Sequence, residues 1–502
     1  MNFFVNQYLM ALNSGVEHAE FKRLQLFKNH QAPAKLVTRQ FDGLLHQNMR
    51  RFNIADDQMA NLFDFFRETT SFSSRIIKMA DLNWPAAYDI KPDPNVSEVR
   101  AGDRLIAKVH FVPSTVGHVY FIEIFDQFHN LVQRTDYDER GFKARDEFFS
   151  SAGEPITDIF YRPDGSRLAE QYYAHDSNGT NYVSLCHLLD YHGRDYYFNG
   201  EQEWYRFFLD ELNKQYDENN VFIADRPLAA QWPVVNMQTT AKKYLWLPTP
   251  HAVDPRDQVY SNLNNAYVYG LHEFLSAWDG VITSTEQQKQ DLTQWLGGQP
   301  SIPILTISAA VVSKQQAQRT PIDISDRHAH EIIYTGRLDA ERRVDQLVTA
   351  FDQVHHKIPD ATLVIYGYGG ELDHLKQQVA QLHLEAAVTL AGYQPNLTNA
   401  YDQAGAYVYT GESDAQPLSL VEALSHGVPA IAYNINYGPK DVLKDGKNGY
   451  LVTDGAVNQL VRALTRTLEN PQRQQRLSKG AYRSSEQYAD EQVWQQWQPV
   501  VQ

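Results

Sequence analysis

Two stretches in the C-terminal half place permanent cations and carboxylates at spacings that suit an anionic, hydroxyl-rich ligand. The first is Tyr334-Thr335-Gly336-Arg337-Leu338-Asp339-Ala340-Glu341-Arg342-Arg343, directly after a short apolar run. Its arginines stand at the mouth of a strand end that feeds a helix, the place where open α/β sheets bind ligands. A guanidinium keeps its charge and offers a fork of donors, so Arg337 and Arg342 are candidates for a diphosphate clamp; the same pair could equally be solvated helix-entry charges. The second stretch is Thr410-Gly411-Glu412-Ser413-Asp414-Ala415-Gln416-Pro417-Leu418-Ser419-Leu420-Val421-Glu422. Here Asp414 sits on a loop and Glu422 on the helix that follows, with Leu418, Leu420 and Val421 supplying packing. Carboxylates bracketing a helix N-terminus could accept hydrogen bonds from sugar hydroxyls, although Asp414 by itself also suits an acid favoured by the helix dipole.

The elements that must position these groups fall into three textures. Residues 1 to about 85 open with an apolar strand at Phe3 to Leu9 and a turn at Asn13-Ser14-Gly15. Helical spacing follows through Ala19, Phe21, Leu24, Leu26 and Phe27. From about 90 to 200, β-rich runs such as Arg104 to Val112 and His118 to Phe125 are separated by Pro163-Asp164-Gly165 and His192-Gly193-Arg194 turns. That pattern predicts an antiparallel meander inserted into something else. Beyond Glu201 strands and helices alternate, with strands at Val221–Ala224, Tyr244–Leu247, Gly280–Thr283, Ile332–Thr335, Thr362–Tyr366, Ala387–Leu390, Tyr407–Tyr409 and Pro429–Ala432. Such alternation predicts parallel sheets flanked by helices. The fold class is α/β with two doubly wound domains. The first comprises 1–88 and 201–310, interrupted by a β-rich insert at 89–200; the second spans 311–480 and a helical tail 481–502. The polar stretch Ser308 to Ser325 links the two.

Composition excludes several classes. The 502 residues are 43% hydrophobic and 21% charged, enough for several cores and too apolar for a disordered scaffold. A net charge of −16 disfavours broad attraction to nucleic acid or anionic lipid, so an anionic substrate requires a local basic pocket. One cysteine, Cys186, allows no intramolecular disulfide and no cysteine-rich zinc site, which suits a reducing cytoplasm. No apolar run reaches the roughly eighteen residues of a membrane span, and Met1 to Gly15 lacks a basic leader. The expectation is a protein neither secreted nor membrane-spanning.

The ordered matches Gly336-Arg337-Leu338, Glu341-Arg342, Asp414 with Glu422, His426-Gly427-Val428-Pro429, Tyr437-Gly438-Pro439 and Asp445-Gly446-Lys447-Asn448-Gly449 resemble the retaining nucleotide-sugar glycosyltransferases of family 4, which have the GT-B fold. In the N-terminal half, Asn13-Ser14-Gly15-Val16-Glu17-His18-Ala19, the β insert and Leu247-Pro248-Thr249-Pro250-His251 are similar to wall teichoic acid α-glycosyltransferases. They are similar as well to the accessory-secretion glycosyltransferases that modify serine-rich adhesins. Two positions depart from the family pattern. Asp414 stands where Glu is usual, with Ala415-Gln416-Pro417 in place of Gly-Phe-Gly, and Arg342 replaces the usual Lys.

The resemblance implies a site residue by residue. Gly15 lets the first turn approach the donor phosphates, His251 contacts the donor sugar near the reacting carbon, and Arg337 and Arg342 neutralise the departing diphosphate. Glu422 accepts from the ribose and Asp414 from the donor sugar, Leu418 lies at the donor, and Gly392 and Tyr393 lie on a loop facing the base. It further implies a cytoplasmic enzyme, free or at the inner face of the membrane, with no metal or other cofactor. Glucose or N-acetylglucosamine would pass from a UDP-sugar to a cell-wall polymer, teichoic acid. The alternatives are O-glycosylation of a serine-rich surface protein, a non-catalytic partner subunit of such an enzyme, and, less favoured, a glycolipid synthase. Oligomerisation, or pairing with a paralogue, is expected through the β insert.

Overall fold

The computed structural model describes residues 1–501. Seven parallel strands form the first sheet: β1 Asn2–Val5, β2 Ala34–Thr38, β3 Met59–Asn61, β14 Val221–Ala224, β15 Lys242–Trp246, β16 Gly280–Thr283 and β17 Ile304–Thr306, in the order β17-β16-β15-β14-β1-β2-β3. These are short apolar runs because helices cover both faces of the sheet; Phe3, Phe4, Val5, Phe222, Ile223, Val281 and Ile282 are all fully buried. The chain winds outward from β1 to β3 and returns at β14 beside β1, so the order reverses between β1 and β14. The second sheet holds β18 His328–Thr335, β19 Thr362–Tyr366, β20 Val388–Gly392, β21 Ala404–Tyr409, β22 Ala430–Asn434 and β23 Gly449–Thr453, all parallel, in the order β20-β19-β18-β21-β22-β23. It reverses between β18 and β21. Crevices open at the carboxyl ends of strands where the order reverses. The two reversals place Gly15 and Arg226 of one domain opposite Arg337 and Asp414 of the other.

Between β3 and β14 the chain builds a ten-stranded antiparallel meander, β4 to β13, running from Asp89–Lys91 to Arg194–Phe198 with each strand paired to the next. Its two ends are covered differently. At the end formed by residues 96–125, Val99, Ala107, Val109 and Ile122 bury against Ile77, with Met79, Leu82 and Trp84 packed alongside, so the segment from Ile77 onward belongs to the insert although the 1–88 boundary assigns it to the first domain. At the other end Phe160, Leu168, Cys186 and Phe198 join the core of the first domain, where Phe160 meets Phe63 at 4.4 Å between ring centroids. Charge also staples this junction: Arg140 bonds Asp64 and Asp138, and Arg67 donates to the carbonyls of Ala144 and Tyr161. Burial raises the Asp64 pKa, but the bonds from His46 and Arg140 outweigh it and bring the carboxyl to about 2.

Two expectations about elements change. The first strand ends at Val5 rather than Leu9, because Asn6 turns its side chain to Glu17 and Glu20 and its carbonyl to Tyr205. The link between domains is pinned where it crosses: Val312 donates to the carbonyl of Tyr488 at 2.7 Å and accepts from Asp490 at 3.0 Å. The 481–502 stretch does not form a separate tail. Helix Pro471–Ser485 packs on the second domain, whereas helix Asp490–Val501 crosses back and buries Val493, Trp497 and Val500 against Phe4, Phe27 and Trp246 of the first. Each such side chain contributes roughly 1.5–3 kcal/mol, which secures the second crossing beside the first. Among the described residues no helix is long and apolar enough to cross a membrane.

Candidate active site

Between the domains lies a cleft of about 1160 Å³. Six Lys or Arg side chains line it against four Asp or Glu, so a chain of net charge −16 carries a local surplus of cations. Two helix N-termini open onto it. Helix Gly15–Asn29 begins at a capping box in which the Ser14 hydroxyl accepts from the Val16 amide and donates to Glu17. Helix Leu418–Ser425 begins after Pro417 with no side-chain cap, leaving its first amides open to an anion.

Arg342, Tyr409 and Asp414 form a closed triangle on the second-domain wall. Nη1 of Arg342 donates to Asp414 Oδ2 at 2.8 Å and to the Tyr409 hydroxyl, which itself donates to the same Oδ2 at 2.8 Å. The other oxygen, Oδ1, accepts from the Gln416 amide at 3.2 Å. Burial works against the Arg342 charge, but Tyr409 and Asp414 outweigh it and hold the guanidinium well above its ordinary pKa. Arg337 lines the same wall, bonded to Asp339 and, at 2.6 Å, to Glu341. Both arginines are held by carboxylates at one edge and face the cleft.

Glu422 projects from helix Leu418–Ser425 and accepts from Tyr401 at 3.0 Å. It also pairs with Lys22, which reaches across from helix Gly15–Asn29 of the first domain. Burial tends to raise the Glu422 pKa; Lys22 outweighs it and keeps the group below the usual range. Tyr393 bridges the domains as well, its hydroxyl 3.2 Å from His18 Nε2 and its ring beneath Arg51. At Gly15 a Cβ would meet nothing within 4 Å, so the open cleft itself lies against this turn. Leu418 lines the cleft beside Pro417. Gly15, Arg337, Arg342, Tyr393, Asp414, Leu418 and Glu422 therefore share one cavity.

His251 does not. Pro248 and Thr249 line the cleft, but His251 is fully buried behind them, stacked near Tyr437. Its Nε2 lies 2.8 Å from the carbonyl of Gln258. A carbonyl can only accept, so Nε2 carries the proton and Nδ1, which has no partner among the described residues, presents a bare lone pair. Burial lowers the ring's pKa to about 4; His251 is a neutral acceptor at physiological pH, not an acid.

Several cleft residues escape a reading by motif. Gly15, His18, Ala19 and Lys22 recur at helical spacing and form one face of their helix, a signal that could have exposed His18 and Lys22. Tyr401 and Tyr409 gave none, since aromatic residues beside strands read as core. Arg226, which bonds Glu17 and Asn6, becomes a neighbour of Gly15 only through β14 pairing with β1.

Comparison with known proteins gives the chain its relatives. A family of accessory Sec system proteins matches residues 8–388, and the family described as glycosyl transferases group 1 matches residues 322–484. The chain is 27% identical to the UDP-N-acetylglucosamine–peptide N-acetylglucosaminyltransferase GtfA subunit of Streptococcus gordonii, over 97% of this chain and 96% of that one. It is 24% identical to the poly(glycerol-phosphate) alpha-glucosyltransferase of Bacillus subtilis, over 64% of this chain and 46% of the relative. The fold is shared with the pneumococcal O-GlcNAc transferase GtfA bound to UDP and GlcNAc, at a TM-score of 0.84, 22% identity and coverage of 99% and 98%. It is shared too with an S. aureus TarM variant bound to fondaparinux, alpha-GlcNAc-glycerol and UDP, at 0.83, 20% and coverage of 100% and 99%. A GtfA/B complex superposes at 0.76, with 23% identity over 100% of this chain and 99% of that one. The architecture is GT-B.

Proposed function

This chain belongs to a family of accessory Sec system proteins and carries a glycosyl transferases group 1 domain, and from that premise we propose that it is a retaining, metal-independent glycosyltransferase acting from a UDP-sugar on a polymeric acceptor. The observation that carries the reading is the meeting of Arg337, Arg342, Asp414 and Glu422 in one cation-rich cleft with an uncapped helix N-terminus. Arg337, Arg342 and the first amides of helix Leu418–Ser425 bind the diphosphate and stabilise the charge that builds on it as the bond to the sugar breaks. Glu422 takes the ribose hydroxyls in exchange for Lys22, and Tyr393 lies at the base. Asp414 accepts from the donor sugar, whereas His251, buried behind Pro248 and Thr249, backs the opposite wall rather than touching the ligand. The acceptor oxygen bonds to the anomeric carbon on the face the diphosphate leaves, and its proton passes to the departing phosphate oxygen, so configuration is retained and no separate base is required.

Two acceptors suit this site, and charge ranks them. Acidic side chains outnumber basic ones in the β insert at 89–200, a surface that repels a polyanion such as teichoic acid and tolerates a neutral serine-rich polypeptide. The relative acting on peptide also matches this chain end to end, whereas the poly(glycerol-phosphate) relative matches about half its own length. The leading reading is therefore transfer of N-acetylglucosamine to polypeptide hydroxyls, with glucosylation or N-acetylglucosaminylation of teichoic acid second. The cytoplasm supplies the donor, and the insert is the surface proposed for self-association or pairing with a paralogue; a protein of this fold is found in a GtfA/B complex.

The test is donor turnover by the purified chain, alone and with any paralogue, using UDP-N-acetylglucosamine and UDP-glucose against a serine-rich polypeptide and poly(glycerol phosphate). Sugar on the polypeptide supports the first reading and sugar on the polymer the second. A folded chain that neither hydrolyses nor transfers from either donor would make it a non-catalytic partner subunit.

A further inference from the structure

The Asp414-Ala415-Gln416-Pro417 loop departs from the Glu-Gly-Phe-Gly pattern at Gln416, whose side chain reaches the crossing between the domains. Gln416 is 6% exposed. Its Oε1 accepts from the Ser308 hydroxyl at 3.0 Å and from the Ala310 amide at 3.1 Å, both on the first crossing between the domains. The same side chain bonds the Tyr488 hydroxyl, which belongs to the second crossing. The crossings are joined beside it, through the Val312–Ala489 bridge and the bonds of Val312 to Tyr488 and Asp490. Ser308 is fastened further to Gln496 of the terminal helix, at 2.8 Å from its amide to Oε1. Meanwhile the Gln416 amide donates to Asp414 Oδ1. One residue thus grips the interdomain hinge with its side chain and the site carboxylate with its backbone.

From this we infer that Gln416 is a positioning residue that couples the hinge to Asp414, so that the carboxylate takes its working place against the donor sugar only when the two crossings are in register. The inference rests on the transferase reading for its kinetic consequence and on hinge geometry alone for its structural one. A buried amide that bonds three partners has one arrangement that satisfies them all, and a rotation of the domains about the crossings would break it. Closure of this kind commonly sets turnover in two-domain enzymes.

Two variants separate positioning from mere packing. Gln416→Leu keeps the volume and removes the side-chain bonds while leaving the backbone amide, whereas Gln416→Glu keeps the acceptor oxygen for Ser308 and Ala310. The expected result for Gln416→Leu is a kcat lower by roughly ten- to a hundredfold, since misplacing a reacting group by about 1 Å costs that much, with UDP affinity within about twofold because Arg337, Arg342 and Glu422 are untouched. The ratio of donor hydrolysis to transfer should rise. Gln416→Glu should regain most of kcat, a recovery that lost packing would not produce. A Gln416→Leu enzyme with wild-type kcat, or with unchanged kcat and weakened UDP affinity, overturns the inference. Hydrogen exchange supplies a readout independent of turnover. The Ala310 amide should exchange faster in Gln416→Leu than in the wild type and near the wild-type rate in Gln416→Glu; equal protection in all three overturns the coupling even if the chain transfers no sugar. Should Gln416→Leu fail to fold, Ser308→Ala is compared in its place, with faster Ala310 exchange and lower kcat expected and no change in either overturning the inference.

Discussion

Replacing Arg342 by Met, alone and together with Asp414→Asn, asks whether that arginine serves the donor or only the fold. The ion pair is 2.8 Å long, with side chains 18% and 16% exposed. Removing one partner of a buried pair costs about 3–5 kcal/mol. Asp414 keeps donors from Tyr409 and the Gln416 amide, so the loss for Arg342→Met should fall to about 2–3 kcal/mol. In the double variant the uncompensated carboxylate is gone and Tyr409 can still donate to the amide oxygen, which should return stability to within about 1 kcal/mol of wild type. Donor binding should not return. A charge-assisted bond to the diphosphate is worth about 1.5–3 kcal/mol, so UDP should bind about ten- to over a hundredfold more weakly in both variants. Urea unfolding gives the first quantity and titration calorimetry with UDP the second. Wild-type UDP affinity in the stable double variant would refute the clamp and leave Arg342 a structural partner of Asp414.

Arg337→Ala and Glu422→Ala should each weaken UDP-sugar use by about ten- to a hundredfold without unfolding the chain, read by calorimetry and donor hydrolysis; unchanged affinity in both removes the nucleotide assignment. Asp414→Asn should abolish transfer, whereas Asp414→Glu, one methylene longer and matching the Glu of the family pattern that the sequence resembles, should preserve or raise it, as measured by initial rates. His251 has its pKa lowered from 6.5 to about 4 by burial, so below pH 6.5 the unfolded chain takes up a proton that the folded chain refuses. Stability is therefore lost as pH falls from 6.5 toward 4, by about 3 kcal/mol from this group, and His251→Asn should flatten the urea midpoint over that window relative to wild type. Light scattering at micromolar concentration should report an oligomer, or a stable pair with a paralogue, that is lost when residues of the β insert are changed; a monomer in both cases contradicts assembly through the insert.

Local chemistry marked the second domain and the polar strand ends that are candidates for meeting a ligand. A strand buried on both faces is a short apolar run, and the turn after it must carry whatever meets the ligand, so Gly336-Arg337 and Asp414 to Glu422 are marked by type and spacing without any tertiary knowledge. The antiparallel texture of the insert was legible for the same reason, through β-branched and aromatic runs broken by turn residues. Only the tertiary structure decided which groups from the first domain join them. Lys22 reaches Glu422, His18 meets Tyr393, and Arg226 stands beside Gly15 because the sheets reverse their order at facing strand ends, a property of winding that no local pattern encodes. The same holds for His251, whose place in the sequence after Pro248-Thr249-Pro250 suggests a cleft residue but whose ring is carried behind the wall by Gln258 and Tyr437. The terminal helix is the clearest case. Its apolar face at Val493, Trp497 and Val500 is plain in the sequence, yet which of the two cores it fills depends on where the chain crosses, because hydrophobic burial is non-directional and names no partner.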